Sequence, residues 1–416
     1  MSTVSTIKRE AQFLARERGF LGWMLVVVSL SSFAVWSGLT EVNYQHQTIE
    51  RLLVADEQDR AAELAKQGDW GSAAYYSFHF TYAPPSDFAF AALGQRQALP
   101  WKHRLRMLAL EGQIYEHDAG NPELALIGRF DFAFFAAFVL PLILIFLLHD
   151  LKARERVAGR FDLLNATSSD GSLWRWRAAL KTSGVLVAGL LPLAIAGMVG
   201  GATAATLLTA MALVAVYVLF WALVCVWLAG WERTAPVILS TLVGVWILLG
   251  TVVPTGSRMI IDELVPIPSG ADILMTQREA VNDAWDLPVA ETIEPFVARH
   301  PEWTGYVHTG DGFDWPWYYA FQQVGDQKTE QLAALYQQGR LERDRLAGLV
   351  AIAAPPALLE RLLQRLASTD MRAAVAYENR VRAFHGELRA FFYPMLFQQV
   401  PYDPQKLSDL PRYDAG

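Results

Sequence analysis

Apolar and polar positions fall into blocks along this chain rather than alternating throughout. Five stretches are almost free of charge: residues 20–39, 130–148, 183–199, 205–229 and 236–253. Each is long enough to cross a bilayer core as a helix, at 1.5 Å rise per residue. Span two, 130–148, carries one charge, Asp131, at its edge, and runs straight into a charged loop with Lys152, Arg154, Glu155, Arg156 and Arg160. Span three contains Pro192, and Pro254 is expected to close span five. The chain thus divides into a cytoplasmic amphipathic segment (1–19), span one (20–40), an outer insert (41–129), span two (130–149), a basic loop (150–181), spans three to five (182–254) and an outer helical domain (255–416).

The loops set the orientation. Residues 150–181 hold seven basic residues against four acidic ones, and residues 1–19 contain Lys8, Arg9, Arg16 and Arg18. Short basic segments stay on the cytoplasmic side. Both belong there, which puts 41–129 and everything after 254 outside. The N-terminal apolar stretch is longer than a signal-peptide core and lacks a clear small-residue cleavage site, so it reads as a retained anchor.

In the outer insert, helical spacing at Ile49, Leu52, Leu53 and Leu64 continues span one outward. Residues 75–82, rich in aromatics, read as extended or irregular. Pro84-Pro85 break the chain, Pro100 is expected to open a helix through Leu105 and Ile114, and Asn121-Pro122 ends the insert. After 254, helices are expected from a Ser269 cap through Val281, over 289–299, from Asp314 through Leu346, from Ala354 through Leu366, and over 371–392. The fold class is membrane all-α: about five spanning helices with two mostly helical outer domains.

Composition adds exclusions. Hydrophobic residues make up 53% and charged residues 19%, with a net charge of -7, which argues against nucleic acid as a partner. The one cysteine, Cys225, excludes an intrachain disulfide. There is no G-x-x-x-x-G-K-[ST] loop, no H-E-x-x-H and no G-x-S-x-G. His46, His79, His103 and His117 share the outer insert but lack tight ligand spacing. Asp311, Asp314 and Glu302 lie near aromatics, where helix starts explain acidic residues more simply than sugar chemistry does. Charge inside the spans, the default marker of an ion path, is nearly absent; Arg129 and Asp131 sit at an edge. Two aromatic runs, represented by Tyr75, Tyr76 and Phe78 and by Trp315, Trp317 and Tyr318, read either as core or outer-leaflet belt, or as a face for substrate or partner.

Glu155, Arg156, Gly159, Leu163 and Leu164 fill an E-R-x-x-G-x-x-x-x-L-L pattern after span two. This resembles the coupling loop of ABC-2-type transporter permeases. The stretches YYSFHFTYAPPSDFAFAALGQR and NPELALIGRFDFAF resemble a bacterial subgroup of them with large periplasmic inserts, long filed as a domain of unknown function. The resemblance implies a non-catalytic permease subunit of the bacterial inner membrane, exporting or extracting a substrate. It implies a separate ABC ATPase subunit that holds the ATP and Mg, a second permease subunit (identical or sibling), and a sixth span not seen here. The ATPase would dock on Glu155, Arg156, Gly159, Arg160, Leu163, Leu164, Trp174, Arg175 and Trp176. The alternative is a membrane-anchored interaction or mechanotransmission protein whose outer domains bind a periplasmic partner.

Overall fold

A computed structural model describes residues 3–116, 129–166, 172–307 and 312–415. Asn121, Pro122, His117 and Asp311 lie outside these. Five helices are long and apolar enough to cross a membrane, Arg18–Leu64, Phe132–Val157, Leu173–Val199, Ala204–Ala229 and Ala235–Leu264, one on each expected span. A short helix α1 (Thr3–Leu14) precedes them. Span one and its outward continuation are one unbroken helix α2 (Arg18–Leu64) of 47 residues, about 70 Å long.

The insert then departs from the expected course. Helix α3 (Trp70–Tyr76) is capped by Asp69, whose carboxylate accepts from Ser72 N at 2.8 Å. Strand β1 (His79–Tyr82) pairs antiparallel with β2 (Lys102–Leu105), His79 opposite Leu105. The helix expected from Pro100 is therefore a strand followed by the short α4 (Glu111–Tyr115). Leu105 faces the core and Arg104 faces out, a two-residue period, and Leu108 falls in the bend between β2 and α4.

Span two is built from α5 (Phe132–Phe134), a π-helical turn over Phe135–Val139 and α6 (Leu140–Leu148). After it come the loop helices α7 (Ala153–Val157) and α8 (Phe161–Ala166), then spans three and four, α9 (Ser172–Val199) and α10 (Ala204–Ala229). Span five is α11 (Ala235–Ile247), and Pro254 does not end it. A second π turn, Leu248–Val252, carries the helix on into α12 (Val253–Leu264). Proline lacks only its own N–H and is tolerated at the first turn of a new helical register, which is where the π turn places Pro254.

The expected C-terminal helices follow as α13 (Gly270–Asp283), α14 (Val289–Arg299), α15 (Trp315–Ala351), α16 (Pro355–Leu366) and α17 (Met371–Phe397). Ser269 and Asp272 close a reciprocal capping box on α13. The two outer blocks do not stand apart as separate domains. One apolar core unites Trp70, Ala73 and Met107 of the insert with Phe296, Phe321 and Phe392, and another unites Leu105 and Ile114 with Ile273 and Tyr377. The two blocks thus bury their apolar faces against each other. The half-buried Arg382 forks onto both oxygens of the buried Glu111 at 2.7 and 2.8 Å across that junction.

Candidate functional site

The basic loop is folded and sewn to its surroundings. Glu155 of α7 accepts from Arg160 at 3.0 Å and from Arg177 of α9 at 3.4 Å. Arg177 also binds Glu10 of α1 at 2.9 Å and lies over the rings of Trp174 and Phe13. Arg156 donates to the Trp231 carbonyl at 2.8 Å and covers the ring of Phe161, which stacks on Trp174 at 5.6 Å. Arg154 reaches Glu17 at 3.5 Å. Thus α1, the loop, the start of span three and the turn between spans four and five gather at one end of the bundle. Gly159, at φ +67°, makes the left-handed turn between α7 and α8 that glycine adopts at no steric cost.

The nine loop residues singled out from sequence divide into two sets. Glu155, Arg156 and Trp174 point inward; Trp174 is only 4% exposed, so it braces the loop rather than forming an outer surface. Arg160, Leu163 and Arg175 are exposed, Gly159 lies on the outer turn, and Leu164 and Trp176 are half-buried. The most exposed apolar residue is Val157, at 87%, with Leu163 at 70%. Sequence reasoning passed over Val157 and the partners Glu10 and Glu17. Their one available signal was the position of Glu10 and Glu17 in the N-terminal amphipathic stretch.

At the opposite end, a joint ties the outer body to the bundle. Residues 88–93 (FAFAAL) are all at most 2% exposed. Gly38 of α2 lets this segment in: a Cβ there would stand 1.9 Å from the Phe90 carbonyl oxygen. Asp131 caps α5 by accepting from Phe134 N at 2.9 Å, and also accepts from Leu93 N at 2.9 Å. From the other side, Thr369 donates to the Ala92 carbonyl at 2.7 Å, and Ser86 to that of Ala367 at 2.6 Å. Helix α16 completes the joint. Its Leu359 and Leu363 are buried in the core of the bundle, and the helix lies against both π turns. On it, Glu360 is half-buried, and burial together with the nearby Asp131 carboxylate pushes its own carboxyl up to about 7.

The two aromatic runs meet in space. Tyr75 lies 5.9 Å from Trp315 and from Tyr318, and Trp285 contacts Trp317, Tyr318 and Phe321 at 5.3–5.8 Å. Trp317 and Tyr318 are buried, Tyr75, Phe78 and Trp315 half-buried, and Tyr76 exposed. Arg106 lies over both Tyr75 and Phe78. The outer surface adds Trp285 and Phe313, which are 51% and 56% exposed. Trp315 starts α15, whose other end leads into α16 on the bundle; its 37 residues put the aromatic ledge about 55 Å from the joint.

The remaining candidates are dispersed. His79 is buried against Phe384, and burial, with Arg60 nearby, holds it down to about 3. His103 bonds the Tyr377 hydroxyl at 2.9 Å, and among the described residues no group of three His, Cys, Asp or Glu could hold a metal. Glu302 pairs with His300 at 3.0 Å. Residues 272–415 match the family described as Domain of unknown function (DUF3526). No curated protein and no solved structure matches the chain.

Proposed function

We propose that this chain is the non-catalytic permease subunit of an ATP-driven ABC transporter of the bacterial inner membrane. It works with a separate ATPase subunit, which binds ATP and Mg, and with a second permease subunit. In this reading the N-terminus and the loop between spans two and three are cytoplasmic and the outer body is periplasmic. The observation that carries it is the loop: a folded platform, braced from within by Glu155, Arg177 and Trp174, that presents Val157, Leu163 and Arg160 outward. A rigid charged surface with apolar anchors is what a soluble partner needs in order to push on a membrane helix. The force would pass along span two to the joint, and from there through α15 and α17 to the aromatic ledge. Substrate export or extraction is the transport class this supports.

The distal ledge favours a second reading, in which the same chain passes motion to a periplasmic partner and transports no solute. Exposed Trp285, Phe313 and Tyr76 lie far from any membrane path.

The test is co-purification from native membranes with an ATPase assay. We expect a stoichiometric ATPase subunit with wild type. Glu155→Lys, which reverses the charge facing Arg160 and Arg177, is expected to leave the chain in the membrane and uncouple hydrolysis from transport. Gly159→Trp is expected to do the same by straining the left-handed turn between α7 and α8, although nothing lies within 4 Å of a Cβ there. Full coupling in both variants would sink the docking role. Capture of an envelope protein with no ATPase would select the second reading.

A further inference from the structure

A pocket of about 480 Å³ opens where the two outer blocks meet, between β2 and α4 on one side and α13 on the other, with Gln322 of α15 also on its wall. That volume lies within the range of small-molecule sites, which favour such junctions. The local sequence accounts for the lining. Buried His103, Leu105 and Met107 alternate with Lys102, Arg104 and Arg106, so the strand and its extension send Arg104 and Arg106 to the same face. On α13, Arg278, Val281 and Asn282 recur at helical spacing and complete the wall. Phe78, Leu108 and Val281 make part of it apolar.

Among the described residues, three arginines on this wall meet one acid, Glu116. The guanidinium of Arg106 lies over the rings of Tyr75 and Phe78, at 5.1 and 5.0 Å, and no carboxylate among the described residues pairs with it. Arg104 stands over the same Phe78 ring at 4.3 Å. Two like charges held on one ring repel, and the ring does not neutralise them. The pairs Arg104–Asp59 at 3.2 Å and Arg278–Glu116 at 3.5 Å are more than half exposed on both partners. Ion pairs so exposed contribute little and give way readily to a better acceptor. An oxyanion is that acceptor, because it can take hydrogen bonds from several guanidinium groups at once. We propose that this pocket binds a small organic phosphate or carboxylate: the anionic group lies between Arg104, Arg106 and Arg278, and the apolar body lies on Phe78, Leu108 and Val281. Such a guest touches both outer blocks and fastens β2 to α13. The site stands whichever of the two readings above holds.

The test is isothermal titration calorimetry on the full chain, purified in an uncharged detergent at low salt. Phenyl phosphate is expected to bind saturably, one per chain, and benzyl alcohol, which lacks the charge, is expected not to bind. Inorganic phosphate should bind more weakly than phenyl phosphate; equal affinity would remove the apolar half of the site. Hexyl phosphate separates the two sources of such an anion. Tighter binding than phenyl phosphate assigns the pocket to a lipid head and chain, and equal or weaker binding assigns it to a free solute. Arg106→Gln should weaken phenyl phosphate binding by about tenfold or more, the loss of one charge-assisted hydrogen bond, and Arg106→Lys by less. Glu116→Gln, which removes the competing acid, should tighten binding, an effect that loss of structure cannot produce. Wild type without saturable binding, or Arg106→Gln that binds as tightly as wild type, would overturn the site.

Discussion

Gly38 shows how much one missing methyl group can decide. It lies in an apolar helix where any small residue would suit the hydropathy pattern, yet the Phe90 carbonyl oxygen occupies the space its Cβ would need. The clash is with backbone, which cannot rotate away, and the segment is pinned on its far side by Asp131 and Thr369. Gly38→Ala is therefore expected to destabilise the joint by about 1–3 kcal/mol, the usual cost of overpacking. Thermal unfolding in detergent would measure it, and Gly19→Ala, in open space on the same helix, is the control. Glu360 is the second residue whose surroundings matter more than its type. Its carboxyl is raised from 4.5 to about 7, so the folded state holds a proton that the unfolded state releases. The stability this contributes is fully present below about pH 4.5 and is lost as pH rises through 7. Melting temperature should fall between pH 5 and 8, and Glu360→Gln should flatten that slope; an unchanged slope would remove Glu360 as its source.

Among the elements, spans two and five are set apart by a π turn placed just before a proline. Pro141 has no N–H to offer the Ala137 carbonyl, and the Tyr217 hydroxyl of span four donates to it instead. The next carbonyl, Phe138, accepts from the Trp246 indole of span five at 3.1 Å. In span three, Ser31 of span one donates to the Gly189 carbonyl at 2.6 Å, one residue on from the Ala188 carbonyl that Pro192 leaves without its helical donor. With no water in a bilayer core, such carbonyls must find side-chain donors on neighbouring helices. These bonds fix the register of the spans beneath α16. Tyr217→Phe should lower stability by about 1–3 kcal/mol, because it leaves a buried carbonyl unsatisfied. Measured by melting in detergent, a loss below a few tenths of a kcal/mol would mean that the π turn relaxes to satisfy itself.

At the scale of the whole molecule, two ends face in opposite directions across a bundle. One carries the loop platform, and the other carries an elongated outer body whose α15 runs about 55 Å from the joint to the aromatic ledge. Both long helices, α2 and α15, are continuous along most of that body. A small tilt of span one is thus carried without a hinge to the level of α3, where Gly71 lies against Trp315. Both proposed readings, transport and the transmission of motion to a periplasmic partner, would use this connection, and the ATPase co-purification separates them.

The sequence by itself determined the five apolar helices, the basic loop, the outward extension of span one, the Ser269 cap and the helical course of residues 270–397, because each depends on local periodicity, local charge or a capping residue. It also picked out Gly159 as a loop residue, though not the turn it makes, and both aromatic runs. Only the tertiary structure decided what these pieces meet. That β2 is a strand depends on β1, twenty residues away in the chain. That span five passes through Pro254 depends on a π turn in the span itself. That Trp174 is a brace depends on Phe161 and Arg177 closing over it, and that two outer blocks form one body depends on aromatic faces some 200 residues apart finding a common core. Local pattern specifies an element and the face it will bury; which face covers it is settled by long-range packing, where burial of apolar area and satisfaction of polar groups are decided jointly.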